Sequence, residues 1–275
     1  MSLNSGEVLG GTKLLSDGNR IPMIGLGISR IVGQVSIAAL ESGYRLFDTA
    51  ELYNNEAELG AALESSLPKL GLKREDVFIT TKVQTKDGDA ANWAEKSVLG
   101  SLEKLRTTYL DLVLVHFPRD RCTGVDHAYE INREGRKEVW KKLEELKERG
   151  AVKSIGVSNY EVYHLVELLS FAKYPPVVNQ IEFHPYFTRQ TLVKYCVMNG
   201  IFVQAFSSLL WGNKEILNEP NVAQLAKKYN ATPQTILYAF TLCSAISLKS
   251  AEVDSLNELG RNVTFSPMCA PWKCP

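Results

Sequence analysis

The segment YRLFDTAELYNNE, residues 44–56, runs through apolar side chains into an acid, Asp48, and then turns polar around one phenol, Tyr53. An apolar run of this length that stops at a charged group has the form of a strand buried on both faces, with its C-terminal end at a functional rim. The same form recurs along the chain. MIGLGI (23–28), VFITTKV (77–83), LDLVLVHF (110–117), VKSIGVS (152–158), PVVNQIE (176–182), IFVQAF (201–206) and AISL (245–248) all read as strands. Amphipathic helical segments fill the gaps, among them EAELGAALESSL, EVWKKLEELKERG and VYHLVELLSFA, and this alternation is the signature of βα units on a parallel sheet.

Eight such units fit either a doubly wound sheet or a closed (β/α)8 barrel. The polar residues discriminate, because an open sheet concentrates its chemistry at one switch point while a barrel draws on the ends of many strands. Here Asp48, Lys82, His116, Ser158 with Asn159, Gln180, Ser207, and Lys249 with Ser250 each follow a different strand. The expectation is a single TIM-barrel domain over residues 1–275, preceded by a β-hairpin in TKLLSDGNRIP with DGN at its turn. Thr188 and Thr232 are the expected N-caps of their helices, and Gly150 and Gly200 lie just past C-termini. EVWKKLEELKERG sets one helix at 138–150, and VDSLNELG the last at 253–260.

Composition narrows the function. Lys plus Arg and Asp plus Glu are equal at 31 each, so no global field favours nucleic acid or an anionic membrane. No run approaches the roughly 18–20 apolar residues of a membrane span, and no signal peptide is recognisable. The five cysteines are scattered and odd in number, which suits a reducing, cytoplasmic setting. The four histidines lack zinc-site spacing, so no metal is expected.

The candidate site combines Asp48, Tyr53, Lys82 and His116, which adjacent barrel strands would bring to one rim. A desolvated Lys82 needs a counter-ion, which Asp48 supplies, and a lysine cation beside a phenol favours the phenolate, tuning Tyr53 as a proton donor. His116 would orient a carbonyl oxygen. Taken singly, a strand-end Asp often caps a turn, a strand-end Lys snorkels and a lone His is structural; at consecutive strand ends those readings weaken together.

These residues carry a resemblance. GYRLFDTAELYNNEAELG (43–60) resembles the first signature of the aldo-keto reductase superfamily, VKSIGVSNY (152–160) the second, and LKSAEVDSL (248–256) a degraded form of the third; TTKV and LVHFP match the contexts of its Lys and His. The resemblance implies a (β/α)8 barrel that reduces carbonyl compounds with NADP(H), and it assigns catalysis to Asp48, Tyr53, Lys82 and His116. Ser158, Asn159 and Gln180 would hold the nicotinamide carboxamide, with Phe206 stacked on the ring where the family most often has Tyr or Trp. Ser207 and Leu209 match the pyrophosphate cradle, Lys249 and Ser250 the 2′-phosphate site, and Glu258 an adenosine contact. Ser255 stands where the family usually has an Arg, which weakens the expected preference for NADPH.

Where the family often has tryptophan in its substrate pocket this chain has Ser29, Gln84 and Phe117, implying a wider and more polar pocket. The C-terminal loop is expected to be short, reduced to about VTFSPMCAPWKCP, with Trp272 either folded back or disordered. The partner implied is a small carbonyl substrate, met by a monomer. Two alternatives stand beside this reading: a catalytically weak nucleotide-binding sensor or partner subunit on the same fold, and an isomerase or aldolase using Lys82 as a Schiff base.

Overall fold

The computed structural model describes residues 8–29, 32–86, 88–118, 129–242 and 248–261. The chain begins with an antiparallel hairpin, β1 (Thr12–Leu14) and β2 (Arg20–Pro22), whose turn holds Gly18 at φ +87°. Asp17 pins the turn, accepting hydrogen bonds from Ser154 Oγ at 2.8 Å and Lys147 Nζ at 3.2 Å.

Seven strands then form one sheet in chain order: β3 (Gly25–Gly27), β4 (Leu46–Asp48), β5 (Phe78–Val83), β6 (Leu110–Val115), β7 (Val152–Ser158), β8 (Val178–Glu182) and β9 (Phe202–Phe206). Registers from β3 through β7 are parallel. A doubly wound sheet reverses its strand order at a switch point; this one never does, and consecutive parallel order with intervening helices is barrel topology. Apart from Leu248, the eighth expected strand lies outside the described residues, as do the C-terminal segment 263–275 and Trp272.

The intervening helices are α1 (Gly33–Glu41), α2 (Glu56–Ser66), α3 (Ala90–Lys104), α4 (Tyr129–Glu148), α5 (Val162–Leu169) and α6 (Gln190–Met198), followed by α7 (Lys214–Leu217), α8 (Pro220–Lys228), α9 (Pro233–Leu242) and α10 (Ser250–Asn257). Gly150 and Gly200 both adopt positive φ just beyond α4 and α6, and Thr232 Oγ1 accepts the Thr235 N–H at 3.2 Å, as their sequence positions indicate.

Three expectations need correction. Thr188 is not the cap of α6; that position falls to Arg189 in the left-handed region at φ +46°. The helix α4 starts nine residues earlier than its apolar pattern does, at Tyr129. Its first turns are held by buried polar groups: the Arg136 guanidinium grips Glu167 of α5 through Nε at 2.9 Å and Nη2 at 2.8 Å, and Nη1 donates to Pro118 O at 2.8 Å. Glycine inside this helix has a steric cause, since a Cβ at Gly135 would lie 2.7 Å from the Lys86 carbonyl oxygen. The last helix, α10, starts three residues early because the Glu252 carboxylate accepts the Lys249 N–H at 2.7 Å.

The described residues pack as two compact units, one comprising those up to Asn179 with Gly200–Phe202, the other Gln180–Asn199 and the described residues from Val203 onward. In the first, Leu15 and Ile21 of the hairpin pack with Leu46, Phe78, Leu112, Leu114, Val177 and Val178. Side chains two apart on a strand share a face, so Leu46, Phe78 and Leu114 lie on the same side of the sheet as Asp48, Lys82 and His116. That face is apolar at the N-terminal ends of the strands and polar at their C-terminal ends. In the second unit Tyr186, Leu210, Ile216, Val222, Ile236 and Leu256 make a separate core.

Candidate active site

Strand register brings the polar ends to a common level. Asp48 pairs with Thr80, and Lys82 lies two residues further along β5; Lys82 pairs with Leu114, and His116 lies two residues beyond it. This stagger offsets the tilt of barrel strands. Tyr53 is carried by a 3-10 turn, Glu51–Tyr53, closed by Asn54 at φ +54°. Asn55 ties that turn down: its Oδ1 accepts from Thr49 Oγ1 at 2.6 Å and its Nδ2 donates to Ile28 O at 3.0 Å.

Lys82 is the centre of the cluster, with 2% of its side chain exposed. Its ammonium makes an ion pair with Asp48, donates to Thr49 O at 2.9 Å and lies 5.3 Å from the centroid of the Tyr53 ring. Burial by itself would depress this lysine, but the Asp48 carboxylate, and after it Tyr53, outweigh burial and hold the pKa above the ordinary lysine value. The ammonium is therefore charged at neutral pH, beside the phenol.

His116 meets Tyr53 edge-on, with ring centroids 5.6 Å apart, and stacks on Phe117 at 4.5 Å. Its backbone N–H donates to Val83 O at 2.8 Å, and its backbone carbonyl accepts from Asn159 Nδ2 at 3.0 Å. Gln84, buried, places its Nε2 3.4 Å from His116 Nδ1. The Phe117 carbonyl accepts from Thr85 Oγ1 at 2.8 Å. Ser29 is exposed just after β3.

Ser158 and Asn159 end β7, both buried. Asn159 sits in the left-handed region at φ +63° and its Nδ2 also donates to Ser158 Oγ at 3.1 Å, while its Oδ1 is buried with no hydrogen-bond partner among the described residues. A buried acceptor of this kind is costly unless a ligand satisfies it. A primary carboxamide has N–H donors of the required sort, so this end of the site fits a nicotinamide group.

The remaining residues belong to the second unit. Gln180 Nε2 donates to Gln204 Oε1 at 2.9 Å. Phe206 is half-buried at the end of β9, and Ser207 follows at φ +54°. Leu209 packs on the apolar core of this unit and its carbonyl accepts the Gly212 N–H at 2.8 Å. Lys249 caps α10, Ser250 opens it and Glu258 follows it, all three exposed. Residues beyond those read from sequence also support the cluster. Thr49 and Asn55 anchor the Tyr53 turn, and Asn55 is a polar residue buried in a motif whose acid and phenol draw attention first.

Among the described residues, no helix is long and apolar enough to cross a membrane.

Parallel strands in chain order, with polar side chains gathered at their C-terminal ends, define the class of α/β-barrel proteins that carry their chemistry at that face. Within it, this chain belongs to the aldo/keto reductase family, whose family model matches residues 34–266. Over 236 residues, 84% of this chain and 79% of the relative, it is 36% identical to methylglyoxal reductase DkgA of Escherichia coli O157:H7. It is 34% identical over 277 residues to the NADP-dependent D-sorbitol-6-phosphate dehydrogenase of Malus domestica, covering 90% of this chain and 87% of that one. The crystal structure of MGS-M4, an aldo-keto reductase enzyme from a Medee basin deep-sea metagenome library, matches with a TM-score of 0.81 at 28% identity, over 92% of this chain and 96% of that chain.

Proposed function

We propose that this chain reduces aldehydes or ketones to alcohols with a nicotinamide cofactor, Tyr53 acting as proton donor. The observation that carries the reading is the buried Lys82 ammonium held by Asp48 and Thr49 O beside the Tyr53 ring. A cation on a phenol stabilises the phenolate that proton donation leaves behind, so the proton at Tyr53 Oη moves more readily to a developing alkoxide. Asp48 keeps the lysine charged. His116, edge-on to Tyr53, holds the carbonyl oxygen toward Oη.

When bound, the reduced cofactor supplies the hydride. Ser158, Asn159 and Gln180 would hold its carboxamide and Phe206 would stack on its ring; Ser207 and Leu209 would cradle the pyrophosphate. Lys249, Ser250 and Glu258 would meet the adenosine end. Lys249 and the NADP-dependent relative support NADP(H), and Ser255, where the family usually has an Arg, weakens that support against NAD(H). Ser29, Gln84 and Phe117 would line the substrate side, where the polar pair suits small polar carbonyl compounds, in keeping with the methylglyoxal reductase among the relatives. We read the chain as one functional domain, since the family match spans both units, and as a cytoplasmic monomer.

The test is oxidation of the reduced cofactor, followed by absorbance, with methylglyoxal and 4-nitrobenzaldehyde as substrates. Wild-type protein should turn over and Tyr53→Phe should lose about 100-fold or more. Full activity in the phenylalanine variant would remove Tyr53 as donor, and nucleotide binding without turnover would leave a sensor.

A further inference from the structure

The 2′-phosphate that separates NADP(H) from NAD(H) would meet opposed charges in this chain, the Lys249 cation and a carboxylate fixed beside it. Lys249 and Ser250 are the residues assigned to it, and they open α10. Two positions beyond Ser250, Glu252 turns its carboxylate back onto the start of the same helix, where Oε2 accepts the Lys249 N–H at 2.7 Å. The Tyr229 hydroxyl donates to the same oxygen at 2.7 Å, and Lys228 of α8 forms an ion pair with the other. Lys228, then Tyr229, then the Lys249 N–H hold the Glu252 carboxyl down at a pKa of about 2, so it is anionic at any working pH.

The consequence for a phosphate is repulsion. An anion is favoured at a helix N-terminus, but here the chain's own carboxylate already takes that place. The nearby cation Lys228 is engaged by it, and Ser255, one turn on, brings no charge: its Oγ donates to Glu252 O at 2.9 Å. A ribose 2′-hydroxyl is a different partner. It is a donor, an ionised carboxylate is purely an acceptor, and an acid on that hydroxyl is how dinucleotide-binding folds select NAD(H).

We infer that Glu252 sets the dinucleotide preference of this chain, standing in place of the 2′-phosphate so that NADH binds at least as tightly as NADPH. The inference rests on the nicotinamide-dependent reading above and concerns only the adenosine end.

The test is binding. The full chain is titrated with NADPH and with NADH, without substrate, by quenching of tryptophan fluorescence. Wild-type protein should bind NADH at least as tightly as NADPH. Glu252→Gln should tighten NADPH about tenfold relative to NADH, the scale of one contact to a charged group. Glutamine at this position still accepts the Lys249 N–H, so α10 keeps its cap. Glu252→Thr removes the charge by another route and should move the ratio the same way. A wild-type preference for NADPH, or a ratio unmoved by both variants, overturns the inference and leaves the reductase reading intact. Binding of neither nucleotide overturns both.

Discussion

The Lys82 ammonium rests on the Asp48 carboxylate inside the barrel, with 2% of the lysine side chain and 13% of the aspartate side chain reaching solvent. The pair is unequal in its dependence. Lys82 has no route to water if Asp48 is lost, whereas Asp48 retains some hydration if Lys82 is lost.

Asp48→Asn should therefore destabilise the protein by about 3–5 kcal/mol, the cost of breaking a buried pair from one side. Lys82→Met, which removes the charge and keeps the stem, should cost less stability while still abolishing turnover. Urea denaturation midpoints compared with rates would check this, and equal midpoints for the two variants would contradict it.

Gln84 is expected to position His116 through the ring nitrogen Nδ1, leaving Nε2–H for the substrate oxygen. Gln84→Leu keeps the volume and removes the donor, so kcat/KM should fall about tenfold, roughly one hydrogen bond, with nucleotide affinity unchanged. Gln84→Glu places a carboxylate beside the ring and favours the imidazolium, so the acid limb of the pH–rate profile should move to higher pH. A profile identical to wild type would argue that Gln84 only fills space.

Asn159 supplies an unsatisfied buried oxygen on a left-handed backbone. Asn159→Gly keeps that backbone at little steric cost and deletes the amide. Nucleotide binding should weaken by about tenfold, and losing the Nδ2 bond to the His116 carbonyl should lower the thermal midpoint by only a few degrees. A large loss of stability with unchanged binding would assign Asn159 to the fold instead.

His164 is buried under Arg136, and burial first, then the Arg136 charge, depress its pKa to about 2. In the unfolded chain the imidazole titrates near its ordinary value of about 6.5. Between these values only the unfolded state takes the proton, so this group's contribution to stability is full above about pH 6.5 and is lost as pH falls toward 2. His164→Gln should flatten the acid limb of a stability–pH curve measured by urea unfolding between pH 7 and pH 4. An unchanged slope would contradict the burial argument.

The seven described sheet strands, the hairpin and the four residues of the proposed catalytic cluster were legible because each depends on a local pattern: an apolar run, a turn dipeptide, a polar group at a strand end. The first turns of α4 were not, because Asn132 and Arg136 are buried by pairing and leave no apolar period. Arg189 starts α6 in a left-handed conformation that its residue type does not signal, while Thr188 beside it has the better capping chemistry. The cap of α10 was hidden for a simpler reason: its N-cap residue is Lys249, not Ser or Thr, so the reciprocal Glu252 did not read as part of a cap. Asn159 could be placed from its motif, but that its oxygen lacks a partner is a property of the folded surroundings.

Phe78 and Lys82 stand on one face of β5 with Thr80 between them, so the two ends of a six-residue strand answer to different demands. At Phe78 the neighbours fix a volume; at Lys82 they fix a charge. Exchanging polar groups at the upper ends can alter the reaction without refitting the apolar packing below. Evolution can revise such a protein's chemistry one strand end at a time while inheriting its apolar packing intact.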